Sequence, residues 1–137
     1  MDQPLNLVLF SGTDDKLQAA AVLTAGAAAL GKPVNVFLQY WALDAFRAER
    51  IGRDHGLAPE AGADGRAAVD HLRAAGQASW ADTLRQAKEL GGVDIEACSL
   101  SMDLLRLAPA DLDPLVDGVE GVTAFYLNAG DGQVVFI

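Results

Sequence analysis

Cysteine is almost missing from this chain: Cys98 is the only one in 137 residues. One thiol cannot close an intrachain disulfide, so a reducing compartment is expected, and the cytoplasm fits best. Histidine is as scarce, with His55 and His71 alone. That leaves too few ligands for a closed Cys/His zinc site, and no metal is expected. Basic residues are outnumbered, 10 Lys and Arg against 19 Asp and Glu, for a formal net charge of −9. Such a surface offers no basic face to a phosphate backbone, so no nucleic-acid partner is expected. Long apolar runs are missing too. The longest tract, Leu17 to Leu30, is Ala-rich and shorter than a bilayer span, so no membrane span is expected. Met1-Asp2-Gln3-Pro4 has no basic n-region, so no export signal is expected. Ser11-Gly12-Thr13-Asp14-Asp15 lacks both the three-glycine dinucleotide fingerprint and the Gly-Lys-Ser/Thr of a phosphate loop. No cofactor is therefore expected.

What is present is an apolar chain, 51% hydrophobic and 21% charged, of the size of one compact domain over residues 1–137. Leu5 to Phe10 (LNLVLF) is a nearly continuous apolar run, the pattern of a strand covered on both faces in a parallel sheet. A polar turn leads into an Ala-rich helix from about Lys16 to Leu30, stopped by Gly31. Val34 to Gln39 is the second strand, which completes a right-handed βαβ unit. Asp44 to Arg50 reads as a short helix, and Ser79 caps another over Trp80 to Leu90. Val93 to Ala97, Leu115 to Val119 and Gln133 to Ile137 read as strands. Val122 to Asn128 has strand-forming residues, but a parallel sheet needs a crossover before its last strand. That requirement makes the segment a helix ended by Gly130. Gly52 to Gly76 is the least readable stretch, with a weak helical pattern around Ala67 to Ala75. Its His55, His71, Arg66 and Arg73 read as solvated side chains.

The chemistry centres on Val93 to Leu105. Cys98 falls between a strand and a helix for which Ser99 or Ser101 is the cap, with Met102, Leu104 and Leu105 as helical apolar positions. Free backbone N–H groups at that junction favour a thiolate, so a pKa below the ordinary value of about 8.5 is expected. The alternative is a buried structural cysteine. Trp41, at the end of the second strand, is either core or part of the same sheet edge as Cys98. Asp14 and Asp15 lack the further aspartate and lysine of a response-regulator metal site and read as helix-terminal capping. A Cys–His hydrolase needs a histidine beside Cys98 in space. Thioredoxin-fold peroxidase chemistry wants a Thr where Ile95 stands, and a second cysteine to resolve the sulfenic acid. Carriage of a sulfane sulfur needs only one thiolate, by the logic of disulfide exchange.

Leu7-Val8-Leu9-Phe10-Ser11-Gly12 with Asp14-Asp15-Lys16, then Gly26 to Gly31 and Val36-Phe37 through Tyr40-Trp41-Ala42-Leu43, resemble the DsrE/DsrF-like (TusD-related) family. Leu84 to Leu90, Ile95 to Leu105 with its Ala-Cys-x-x-Ser-Met-Asp segment, and Asp117-Gly118-Val119 are similar to its "peroxiredoxin-like DsrE" subgroup. The resemblance covers nearly all the chain outside residues 50–78. It implies an α/β fold: a three-layer α/β/α sandwich on a five-stranded, mainly parallel, flavodoxin-like sheet. It also implies homotrimers, hexamers or hetero-oligomers. Better-understood members relay sulfur as a cysteine persulfide, for sulfur oxidation or tRNA thiolation, and Cys98 matches their sulfur-carrying cysteine.

The expectation is thus a cytoplasmic carrier or transferase in which a reactive, reachable Cys98 passes sulfur between donor and acceptor proteins. Ser99 and Ser101 supply caps and N–H donors, and Asp103 completes the motif. Met102 and Trp41 form an apolar rim that protects the persulfide, while Gly12 and Thr13 shape the neighbouring loop. Two alternatives stay open. One is a small-anion or nucleotide-binding module at the strand ends, which the cysteine merely lines. The other is a non-catalytic subunit of a DsrE-type oligomer.

Overall fold

The computed structural model describes residues 3–137; the reading of Met1 and Asp2 as part of a leaderless terminus lies outside the described residues. The chain alternates strand and helix. It runs β1 (Leu5–Leu9), α1 (Asp14–Ala29), β2 (Val34–Leu38), α2 (Tyr40–Ala45), α3 (Gly62–Ala74), α4 (Trp80–Leu90) and β3 (Val93–Cys98). Then follow α5 (Ser99–Leu105), β4 (Gly118–Glu120), α6 (Val122–Ala129) and β5 (Val134–Phe136). All strand pairs are parallel, in the order β4-β3-β2-β1-β5. The layered parallel α/β architecture is the expected one. The strand order is 4-3-2-1-5, where flavodoxin itself has 2-1-3-4-5.

This order sets the layers. Strands β1 to β4 step across the sheet in one direction, so right-handed crossovers put α1, α4 and α5 on one face. The chain then returns to the far side of β1, which puts α6 on the other face. Side chains alternate accordingly. Leu7, Leu9, Val34, Val36, Leu38, Ile95 and Ala97 point into the main core with Leu17 and Ala21 of α1 and Leu84 of α4. Alanines at the α1 contact positions let that helix lie close against the sheet and α4. On the opposite face Val8, Phe37 and Cys98 meet Phe125 of α6 in a much smaller cluster. Asn6 and Asn35 share that face. Asn35 Nδ2 donates to Asn6 Oδ1 (2.9 Å) and Asn6 Nδ2 to the Ala129 carbonyl (3.3 Å), which ties α6 to the sheet.

Three local expectations are corrected. The helix expected over Asp44 to Arg50 lies at Tyr40–Ala45. It starts early because the Ala42 N–H reaches the carbonyls of Phe10 and Gln39. It ends where Phe46 is buried and Arg47 bridges to Leu112. The strand expected over Leu115 to Val119 is displaced to Gly118–Glu120, because Leu115 is turned into the main core and the Asp117 N–H makes the first link to β3, at Ile95. The helix in the unreadable stretch is longer than its pattern indicated, Gly62–Ala74 rather than Ala67 to Ala75.

Candidate functional site

Cys98 ends β3, and its own residue is the N-cap of α5. Neither Ser99 nor Ser101 caps the helix with its side chain. Period-two alternation turns the sulfur toward α6, where it lies with Phe37 and Phe125, whose rings stack at 4.9 Å between centroids. The residue is 5% exposed. The thiol is therefore covered by an aromatic pair from β2 and α6, not open at the sheet edge.

The same alternation puts Asp94 and Glu96 on the face of β3 that carries Cys98. Parallel register sets Glu120 of β4 directly beside Cys98, and Gly118 beside Glu96. Gly118 is the notch that admits the glutamate, since a Cβ there would stand 2.7 Å from Glu96 Oε2. That oxygen is buried without a hydrogen-bond partner. Burial, and then the charges of Asp94, Glu120 and Asp117, push the Glu96 carboxyl up to about 7. Burial followed by Asp117 raises Asp94. Burial followed by Asp94 raises Glu120, against a lowering hydrogen bond from Asn128 (3.3 Å). Lys88 bonds Asp117 at the rim and leaves the other three acids without a paired cation among the described residues. Sequence reading missed Glu96, Glu120, Phe37 and Phe125. The spacing Asp94-x-Glu96-x-Cys98 on a strand was the available signal for the first acid. Nothing local pointed to Glu120.

The remaining expected residues divide into separate places. Ser99 and Asp103 are exposed. Ser101 is buried, and its Oγ accepts the Tyr40 N–H at 3.1 Å, which pins α5 to a turn where Tyr40 has φ +44°. Met102 is in the main core, on the other face of the sheet from the sulfur, so it forms no rim for it. Trp41 is 55% exposed, neither core nor part of the thiol cluster. Gly12 packs under Trp41, whose carbonyl oxygen a Cβ at Gly12 would strike. Gly12, Thr13 and Trp41 instead line a cavity of about 340 Å³ with Ser11, Arg50 and His55. They share the carboxyl edge of the sheet with Cys98 but not its face.

Asp14 is a buried junction rather than a solvated cap. It accepts from Trp80 Nε1, the His55 N–H and Arg73 Nη2, each at 2.9 Å. Arg73 is thereby an ion-pair partner, and His55, with Nε2 buried and unpartnered, is not a free surface ring. Among the described residues no hydrogen bond joins either histidine to Cys98; the His55 ring lies against Trp80, at the Asp14 junction. No group of three His, Cys, Asp or Glu side chains fit to hold a metal occurs among the described residues. No helix among them is long and apolar enough to cross a membrane.

The model of the DsrE/DsrF/DrsH-like family matches residues 1–61. The uncharacterized protein YrkE of Bacillus subtilis is 31% identical over 149 residues, covering 93% of this chain and 92% of YrkE. Among solved structures, the protein of unknown function MTH1491 from Methanobacterium thermoautotrophicum superposes with a TM-score of 0.54. It spans 99% of this chain and 100% of its own at 16% identity, a likeness of fold.

Proposed function

The chain belongs to the DsrE/DsrF/DrsH-like family, and on that premise we propose that it works in sulfur relay, with Cys98 as the carrier of sulfane sulfur. The observation that carries this reading is the setting of the one thiol, at a strand end, under an aromatic cover and two residues along the strand from a carboxyl pushed up to about 7. In uptake, the Cys98 thiolate attacks the outer sulfur of a persulfide donor. The donor S–S bond breaks, its thiolate leaves, and Cys98 gains one sulfur atom. In delivery, an acceptor thiolate attacks that outer sulfur, and Cys98 leaves as thiolate. No oxidant or metal is consumed.

Glu96 lies two residues along the same face from Cys98, roughly 7 Å on a strand, and a proton passes between them through the water that enters when α6 opens. Its carboxylate takes the thiol proton before attack and returns it to the leaving thiolate. A group with a pKa near the working pH does this best. Phe37 and Phe125 replace Met102 and Trp41 as the apolar cover that keeps water and oxidants from the persulfide. The sulfur becomes reachable when α6, eight residues long, moves off Phe37. Exposed Tyr126 and Leu127 of α6, with Val134 and Phe136 of β5, leave this face apolar, and copies of the chain associate through it.

Intact mass after incubation with a persulfide donor tests the reading. A gain of one sulfur is expected, lost in Cys98→Ala and discharged by an acceptor thiol. Normal sulfur uptake and delivery by Cys98→Ala would end it.

A further inference from the structure

A cleft of about 620 Å³ lies between α3 and the amino-terminal ends of α1 and α4, and shares no residue with the Cys98 cluster. Its floor is fixed by the Asp14 junction, which holds the Trp80 indole by its N–H. Its roof is α3, in which no residue is buried. Val69 and Leu72, one turn apart, both line the cleft with Ile51, Leu57 and Trp80. Leu72 is nevertheless 47% exposed. A helix of this length draws most of its stability from burying an apolar stripe. Here the stripe stands over open space, and charge ties the helix down: Arg66 to Asp54 (3.2 Å), Arg73 to Asp14 (2.9 Å) and Arg73 to Asp54 (3.4 Å). Gly62 (φ +60°) and Gly76 (φ +92°) bracket it in conformations that other residues resist.

Four aspartates and three arginines line the cleft, and every aspartate is already engaged. Asp14 is saturated by three donors, and Asp15 accepts the Ala58 and Lys16 N–H groups. Asp54 accepts from the Gly56 N–H, Arg66 and Arg73, and Asp82 pairs with Arg85. Arg53 alone of the cleft's arginines has no carboxylate partner among the described residues. The cleft thus combines apolar walls with one unspent cation, at a volume typical of small-molecule sites, about 300–1,000 Å³.

We propose that this cleft binds an amphiphilic organic anion, its carboxylate head on Arg53 and its apolar body between α3 and Trp80. The site is independent of sulfur carriage. Titration calorimetry of the full chain with decanoate, below its micelle concentration, and with decanol tests it. Saturable decanoate binding is expected, about tenfold weaker in Arg53→Ala, a surface change that leaves the core intact. Decanol is expected to ignore that substitution, Leu72→Glu to lose both ligands, and Cys98→Ala to bind decanoate normally. Absence of saturable decanoate binding, or equal affinity in wild type and Arg53→Ala, would overturn the proposal. So would a fall in oligomer mass on Leu72→Glu, which assigns the cleft to a contact between copies of the chain.

Discussion

Glu96 shows how one residue's surroundings decide its chemistry. An ordinary glutamate is ionised at neutral pH, but burial and three neighbouring acids move this one to about 7. Its folded pKa lies above its unfolded value, so the folded state binds the extra proton between about pH 4.5 and 7. The group's contribution to stability is therefore fullest below that window and is lost as pH rises through it. Asp94 and Glu120 are shifted in the same direction. Thermal melts from pH 5 to pH 8 are expected to fall with pH for the wild type and to fall less steeply for Glu96→Gln. In sulfur-uptake rates, Glu96→Gln is expected to remove an inflection near pH 7 while leaving the final load of one sulfur unchanged. The Asp94-x-Glu96-x-Cys98 alternation was legible in the sequence. The perturbation was not, because it needs Glu120 and Asp117, which only strand pairing brings close.

At the level of elements, α6 is the cover of the thiol and, among the described residues, the only helix seated on its face of the sheet. Phe125 is 1% exposed and stacks on Phe37. Truncating a buried phenylalanine costs about 3–5 kcal/mol, and here it would also unroof the sulfur. Phe125→Ala is expected to lower the denaturant midpoint and to speed alkylation of Cys98 by iodoacetamide under native conditions. An unchanged alkylation rate in a destabilised variant would mean that α6 does not gate the thiol. The place of α6 followed from sequence by topology alone. A last parallel strand needs a crossover, and that requirement outweighed the β-branched and aromatic residues of Val122 to Asn128. By contrast, α2 and β4 were misplaced by a few residues. Their limits are set by the neighbouring Phe46 and Leu115 entering a core built by segments distant in sequence, which no local pattern records.

Across the whole molecule, the two faces of the sheet are unequally covered. One carries α1, α4 and α5 over a continuous core, while the other has, among the described residues, α6 alone and exposes Phe136 (66%) and Leu127 (78%). On the proposed function, copies of the chain meet through this apolar face. Light scattering is expected to give a mass of several 14.3 kDa chains, falling toward one chain in Phe136→Glu, with no loss of secondary structure. A monomeric wild type would remove self-association from the reading and leave the covered thiol to be reached by α6 alone.

The sequence by itself determined the α/β class, four of the five strands, the crossover before the last one and the position of the one thiol between β3 and α5. These rest on local periodicity, caps and the reach of a parallel connection, all written in neighbouring residues. Only the tertiary structure decided that the sulfur faces α6 rather than the open edge, that Gly118 makes room for Glu96, and that Asp14 gathers Trp80, His55 and Arg73. Each of those depends on which face of the sheet a strand presents and on pairing between segments more than twenty residues apart, where burial and charge act through space and not along the chain.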